Sequence, residues 1–226
     1  MKHLLPNDKL PVVRLAWYVS GKAGRAIKAL ERYPELREMT CLVVNDEGPN
    51  NELSTLLSDN TIAYAEFNYK TLGIEGKARN TYVSNQLELL FKQHHIDYAF
   101  CFGSRLLEGH LLTAYKNRII NFHPSILPAF PGVKAIDQAM HAGAFLLGNT
   151  AHFIDEGMDT GPVIMQNIVH RTAFEGYDAI LDLQVPMIRQ IARWLIEDRI
   201  TVHGRNVIIS GAAHPEPVFY PRLESA

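Results

Sequence analysis

Ile119-Ile120-Asn121-Phe122-His123-Pro124-Ser125-Ile126-Leu127-Pro128-Ala129-Phe130-Pro131-Gly132 is an apolar run that stops on polar residues. Successive side chains of a β-strand point to opposite faces, so Asn121 and His123 project from the same side. Pro124 then removes a backbone donor and discourages the ladder from continuing. The stretch reads as a strand whose carboxyl end carries an amide and an imidazole side by side. Taken alone, such a pair more often satisfies local hydrogen bonds than performs chemistry.

Working outward, residues 96–103 are apolar on both faces, as a central strand of a parallel sheet requires. A helix over about 107–115 joins that strand to the one ending at Asn121. Before them, Val83, Leu87, Leu90 and Phe91 follow a helical period within 80–95. Residues 12–19, 41–44 and 61–65 read as further strands. The turn 20–25 opens an amphipathic helix through Ala29 and Leu30, residues 45–51 form a loop, and 53–57 a short helical segment. Downstream, the pattern predicts a helix at 135–143 and a strand at 150–154 paired with 162–169. A long helix at about 177–197 and a terminal strand at 200–209 follow. Alternating strands and helices predict an α/β fold: an open, mostly parallel sheet with helices on both faces, whose ligand sites lie beyond the carboxyl ends of its strands. The tips of 20–25, 103–105 and 121–132 should then converge on one crevice. No repeat, low-complexity segment or linker interrupts residues 1–226, so one domain is expected, less regular in its last third.

Composition narrows the function. The formal net charge of -2 gives no global attraction to nucleic acid or to an anionic membrane, so neither is expected as a partner and an anionic ligand must be held locally. Cys41 and Cys101 lie in apolar runs and suggest no disulfide framework and no metal-ligand spacing. No apolar stretch resembles a signal peptide or is long enough to cross a bilayer, and a cytoplasmic location is expected.

Two other stretches carry polar groups that could act. Ser20-Gly21-Lys22-Ala23-Gly24-Arg25 offers backbone amides at a helix start, with Lys22 and Arg25 adding charge. That is a plausible phosphate cradle, although it matches neither a dinucleotide fingerprint nor a P-loop, and a simple strand-to-helix turn explains it as well. In Asp155-Glu156-Gly157-Met158-Asp159-Thr160-Gly161, two glycines frame Asp159, where a carboxylate can be fixed in place; a polar hairpin turn is the plainer reading. His152, Asp155 and Asp159 invite a metal reading, but no established ligand spacing supports it, and no metal is expected. A carboxylate near an imidazole can orient it or tune its pKa, and a neighbouring amide can donate to an oxyanion as a carbonyl is attacked. Without a nucleophile elbow, direct acyl transfer between two bound substrates is the natural class.

The segment Asn121-Phe122-His123-Pro124-Ser125-Ile126-Leu127-Pro128 is followed, after Gly148-Asn149-Thr150, by His152-Phe153-Ile154-Asp155-Glu156-Gly157-Met158-Asp159-Thr160-Gly161-Pro162. The combination closely resembles the formyltransferases that use 10-formyltetrahydrofolate. The general likeness is strongest to those acting on glycinamide ribonucleotide, and it implies their Rossmann-like fold. It implies a catalytic triad of Asn121, His123 and Asp159, with the Asn and His steadying an oxyanion and the Asp assisting proton movement. By the same likeness the folate cosubstrate lies against Arg105, Leu106, Leu107, Ile119, Ile154 and Asp155, with its pterin toward the 155–159 loop. Ser20, Gly21, Lys22, Gly24, Arg25 and, less directly, Arg79 face the acceptor's phosphate. An acceptor half at about 10–105 and a donor and catalytic half at about 106–210 follow. Departures cluster on the acceptor side: Ala23, Gly24 and Arg25 stand where relatives have Gly-Ser-Asn, Ile136 where a His is common, and Gln184 where a Glu is placed. The implied acceptor is a primary amine of the glycinamide ribonucleotide kind, a nucleotide-linked amino sugar being the alternative. Hydrolysis of the formyl donor, or folate binding without turnover, remain as further readings.

Overall fold

Side chains alternate between the two faces along each strand, and because the central strands are apolar at nearly every position, both faces of the sheet are buried. The computed structural model describes residues 13–173, 176–214 and 218–221. Strands β1 (Leu15–Val19), β2 (Thr40–Asn45), β3 (Ala63–Glu66), β4 (Tyr98–Phe102) and β5 (Ile119–His123) run parallel. Two antiparallel strands, β6 (Leu146–Phe153) and β7 (Val163–His170), complete a seven-stranded sheet of order β3-β2-β1-β4-β5-β6-β7. The expected open, mostly parallel sheet is therefore what forms.

On one face Trp17, Phe100 and Phe122 pack under α1 (Gly24–Arg32), α3 (Asn51–Asp59) and α8 (Gln184–Ile196). Tyr18, Leu42 and Cys101 pack on the other face under α4 (Gly76–Gln93) and α5 (His110–Ala114). The remaining helices are α2 (Pro34–Met39), α6 (Ala135–His141) and α7 (Tyr177–Asp182). Neighbours β2 and β4 flank β1, so the chain reverses direction across the sheet there. A crevice opens outside the carboxyl ends at such a reversal. The backbone N–H of Ser104, after β4, donates to Ser20 Oγ, after β1, across 3.0 Å.

Four elements differ from the sequence reading. The long helix is two, α7 and α8, because Pro186 in the first turn of α8 has no N–H to carry the ladder back through Leu183. The terminal strand is a hairpin, β8 (Ile200–His203) and β9 (Asn206–Ile209), which turns at Gly204 with φ 61°. Strand β6 starts at Leu146 rather than at 150: Asn149, which resembles a turn residue, is buried and satisfied by Asn167 Oδ1 and the Ile180 carbonyl. Helix α2, with Pro34 in its first turn, was not foreseen. In the first predicted strand, Val12 lies outside the described residues.

Gly103 shows how closely the crevice floor is packed. A Cβ there would lie 2.0 Å from Cε1 of Tyr18. That ring is buried, and its hydroxyl donates to Asp46 Oδ2 at 2.6 Å, so it has little freedom to swing away. Gly103→Ala should cost about 2–3 kcal/mol, in the range of overpacked cores. A urea midpoint equal to wild type would show that the Tyr18 ring yields.

Candidate active site

Asn121 and His123 stand on one face of β5, while Phe122 turns to the other and stacks on Phe102 with ring centroids 5.0 Å apart. Directly opposed residues of an antiparallel pair share a face. The β5–β6 register sets Asn121 against His152 and His123 against Thr150, so all four side chains meet on one side.

The chain after His123 is drawn back toward β6. Thr150 Oγ1 donates to the Ser125 carbonyl (2.7 Å) and accepts from the Leu127 N–H (3.0 Å). Gln166 Nε2 donates to Thr150 Oγ1 and to the Leu127 carbonyl, both at 2.9 Å. Ser125 Oγ donates to the carbonyl of Ala129 at 2.6 Å. Phe130 takes φ 55°, a left-handed conformation costing roughly 1–2 kcal/mol outside glycine, and presents its carbonyl to His123 Nε2 at 2.9 Å.

Asp159 arrives from the glycine-framed loop after β6. Inside that loop the Asp155 carboxylate accepts from the Gly157 N–H (3.1 Å) and from Thr160 Oγ1 (2.7 Å). The loop's base admits only glycine, because a Cβ on Gly161 would sit 1.8 Å from the Phe153 carbonyl oxygen. Asp159, at φ 55°, accepts the Gly132 N–H at 2.7 Å through Oδ2. The same oxygen lies 3.3 Å from His123 Nδ1, while Oδ1 lies 3.5 Å from His152 Nε2 and 3.4 Å from Asn121 Nδ2.

Partner chemistry assigns the protons. A carbonyl only accepts, so His123 Nε2 carries hydrogen for Phe130, and Nδ1 is the atom that shares a proton with Asp159. His152 Nδ1 likewise donates to the Phe153 carbonyl at 2.9 Å. Its Nε2 accepts from Asn121 Nδ2 (3.2 Å) when the ring is neutral and can donate to Asp159 when it is charged. Burial alone would push the Asp159 carboxyl up. Hydrogen bonds from His152 and the Gly132 N–H, with the charges of His123 and His152, outweigh it and hold the carboxyl below the ordinary carboxylate range. A carboxylate kept ionised between two imidazoles and an amide can accept a proton from a reacting amine while neighbouring N–H groups face developing negative charge.

The other expected site residues fall into separate groups. Beside the Asp159 loop a cavity of about 450 Å³ is lined by Leu112, Lys116, Ile154, Asp155, Glu156 and Arg205, among others. Of the expected folate contacts, Ile154 and Asp155 reach it. Leu107 and Ile119 are buried in the core, Leu106 is exposed, and Arg105 is elsewhere. The Arg105 guanidinium donates to Glu47 Oε1 at 3.0 Å and to the Tyr69 hydroxyl. It lies over the Tyr69 ring, as does Arg79.

In the 20–25 turn, Ser20 Oγ donates to the buried Asp46 (2.7 Å) and the Gly21 carbonyl accepts from Asn45 and Asn50. Lys22 and Gly24 are exposed. Arg25 lies 4.8 Å from the Phe102 ring centroid and donates to Gln184 Oε1 at 2.6 Å. Gln184 is fully buried and donates through Nε2 to the Phe122 carbonyl (3.1 Å) and Asn149 Oδ1 (2.8 Å). The turn is thus tied to the main chain of β5 between Asn121 and His123. Ile136 is buried with Ala139, Leu147 and Ile180. Sequence reasoning missed His152 as a partner of Asp159, although its register opposite Asn121 would have signalled it.

This sheet, with an Asn, a His and an Asp converging beyond its carboxyl ends, defines an α/β protein with a cluster of ionisable and amide groups at its strand ends. The chain belongs to the formyl transferase family, whose model matches residues 19–181. It is 55% identical over 65 residues to phosphoribosylglycinamide formyltransferase of Bacillus subtilis (strain 168), covering 29% of this chain and 33% of that protein. Formyltetrahydrofolate deformylase of Haemophilus influenzae is 34% identical over 109 residues, covering 46% of this chain and 39% of that one. The chain thus spans about a third to two fifths of the length of these curated relatives. The structure of glycinamide ribonucleotide transformylase 1 from Symbiobacterium toebii superposes with a TM-score of 0.74 at 28% identity, covering 87% of this chain and 93% of that one.

Proposed function

We propose that this protein is an enzyme that transfers a formyl group from 10-formyltetrahydrofolate to a primary amine. The observation that carries this reading is Asp159, held between His123, His152 and Asn121 at the end of the catalytic strand. The acceptor amine attacks the formyl carbon, and a new C–N bond forms as negative charge collects on the formyl oxygen. Asn121 faces that charge by exchanging its long contact with Asp159 for one to the oxyanion, and His123, whose Nε2–H is held by the Phe130 carbonyl, steadies it through the proton that Nδ1 shares with Asp159. Asp159 takes the amine's proton, directly or through His123; the bond to folate N10 then breaks and N10 regains a proton. The cavity beside the Asp159 loop, within the size range of ligand pockets, takes the pterin, with Asp155 and Glu156 as hydrogen-bond acceptors.

Among the described residues no helix is long and apolar enough to cross a membrane. The substrates of the proposed reaction are small molecules, and the cytoplasm is its proposed place. The N-terminal half, about residues 10–105, receives the acceptor, and the half at about 106–210 the donor. Ser20, Gly21 and Gly24 shape the acceptor turn, and Lys22, Arg25 and Arg79 supply positive charge. A glycinamide ribonucleotide-like amine is the leading acceptor. An amino sugar carried on a nucleotide is favoured by Arg25–Gln184 and the buried Ile136, and hydrolysis by the similarity to deformylases.

Tetrahydrofolate release distinguishes these readings when followed with glycinamide ribonucleotide, with nucleotide-linked amino sugars and with no acceptor. Release without acceptor makes the protein a hydrolase, and no release under any condition refutes catalysis. Arg25→Ala should raise the acceptor KM about tenfold or more, since a charge-assisted contact is lost, with the folate KM within about twofold of wild type. A change confined to the folate KM would show that the two halves are assigned the wrong way round.

A further inference from the structure

We propose that Arg205, at the tip of the β8–β9 hairpin, is a positioning residue that holds Asp159 in its working place. The assignment of a catalytic task to Asp159 rests on the formyl-transfer reading; the mechanical claim does not.

The Arg205 guanidinium donates to the carbonyl of Thr160, the residue after Asp159, at 2.7 Å. Among the described residues this is the one hydrogen bond that reaches the main chain of the 156–161 loop from another element. Every other tie is made within the loop, at its base, or to the Asp159 side chain. Asp155 gathers the Gly157 N–H and the Thr160 hydroxyl from inside. The Phe153 N–H closes the base on the Pro162 carbonyl at 2.9 Å, with Gly161 pressed against Phe153. Asp159 stands between these anchors in a left-handed conformation at φ 55°, which a released loop has reason to leave.

Arg205 is supported from the scaffold rather than from the loop. Its turn is flanked by the cross-strand pair of His203 and Asn206, and the hairpin's Val202, Val207 and Ile209 pack onto the core. Arg199, at the hairpin's base, donates to the Ser210 carbonyl at 2.6 Å and pairs with Glu197 at 3.0 Å. Gly204 and Arg205 also line the cavity, together with Asp155, Glu156 and Gly157. The hairpin therefore spans from the core to the one loop whose carboxylate must sit within reach of two imidazoles. Losing the Thr160 contact should affect the step that uses Asp159 and spare the acceptor's own contacts.

The test compares the full chain with R205A and R205K under saturating formyl donor. R205A should lower kcat about tenfold, leave the acceptor KM within about twofold, and keep the wild-type Tm to within a few degrees. R205K, which retains a charged donor, should recover most of the loss. Wild-type kcat in R205A, or no recovery in R205K, would overturn the proposal. Amide hydrogen exchange at residues 156–161 reads the mechanical claim without any reaction. It should quicken about tenfold in R205A; unchanged exchange there would overturn the positioning role even if formyl transfer holds. Absence of tetrahydrofolate release from the wild type would instead remove the catalytic reading alone.

Discussion

Asp159→Asn should lower formyl transfer by roughly two to four orders of magnitude, the usual contribution of a positioned proton acceptor, while leaving the fold and folate binding intact. The substitution keeps an oxygen for the Gly132 N–H and the shape of the loop, but removes the charge between His123 and His152. The proton shared with His123 Nδ1 then has no carboxylate to move to. Single-turnover rates with bound folate are the measurement, and a rate within tenfold of wild type would refute a catalytic role for Asp159. The substitution also has a pH signature. The folded-state pKa of Asp159 is depressed, so its ionisation contributes stability above the unfolded-state value, and that contribution is lost as pH falls through the folded-state value. The stability gap between wild type and Asp159→Asn should therefore be present at neutral pH and close in acid, which urea midpoints across that range would follow.

Gln184→Leu should give the largest loss of stability, about 3 kcal/mol or more. Gln184 is fully buried and serves three partners: the Phe122 carbonyl, Asn149 Oδ1 and the Arg25 guanidinium. Leucine fills a similar volume and satisfies none of them, and each buried group left unpaired costs about 1–3 kcal/mol. Arg25 is the most exacting of the three, because burial already lowers its pKa and this amide is its hydrogen-bond partner among the described residues. Activity should fall with stability, since the Phe122 carbonyl lies between Asn121 and His123 on β5. A variant as stable as wild type would mean that water replaces the glutamine at all three contacts.

Much of the sheet was legible because its information is local. Short continuous apolar runs bounded by turn residues mark strands at 12–19, 41–44, 96–103 and the run ending at His123, close to the observed β1, β2, β4 and β5, and the alternation of side chains along a strand puts Asn121 and His123 on one face. The framing glycines marked Asp159 as a carboxylate that can be fixed in place, but its pairing with Asn121 and His123 came only from the motif it shares with formyltransferases, since nothing in Asp155–Gly161 alone says that the carboxylate turns inward. Long cations are the hardest to place from sequence: the resemblance sets Arg105 against folate, and its protein partners, Glu47 and Tyr69, are visible only in the tertiary structure, because a flexible guanidinium takes whatever partner the fold brings near and Glu47 comes from another strand's end. His152, read from sequence only in a metal reading, and the Phe130 carbonyl, not read at all, have roles set by a related cause: the first depends on pairing between β5 and β6, the second on a left-handed residue in a proline-rich loop.

The hairpin and the residues after it bear on how the molecule meets other copies of itself. β7 ends the sheet, and a terminal strand offers unpaired backbone groups as a template on which a second chain can add. Here Val202, Val207 and Ile209 of the hairpin share a core with Ile164 and Met165 of β7, and the Tyr220 hydroxyl donates to the Ile168 carbonyl at 3.4 Å. The appendage that carries Arg205 to the Asp159 loop thus also packs against that terminal strand, so the covering of a sheet edge and the placing of a carboxylate draw on one hairpin.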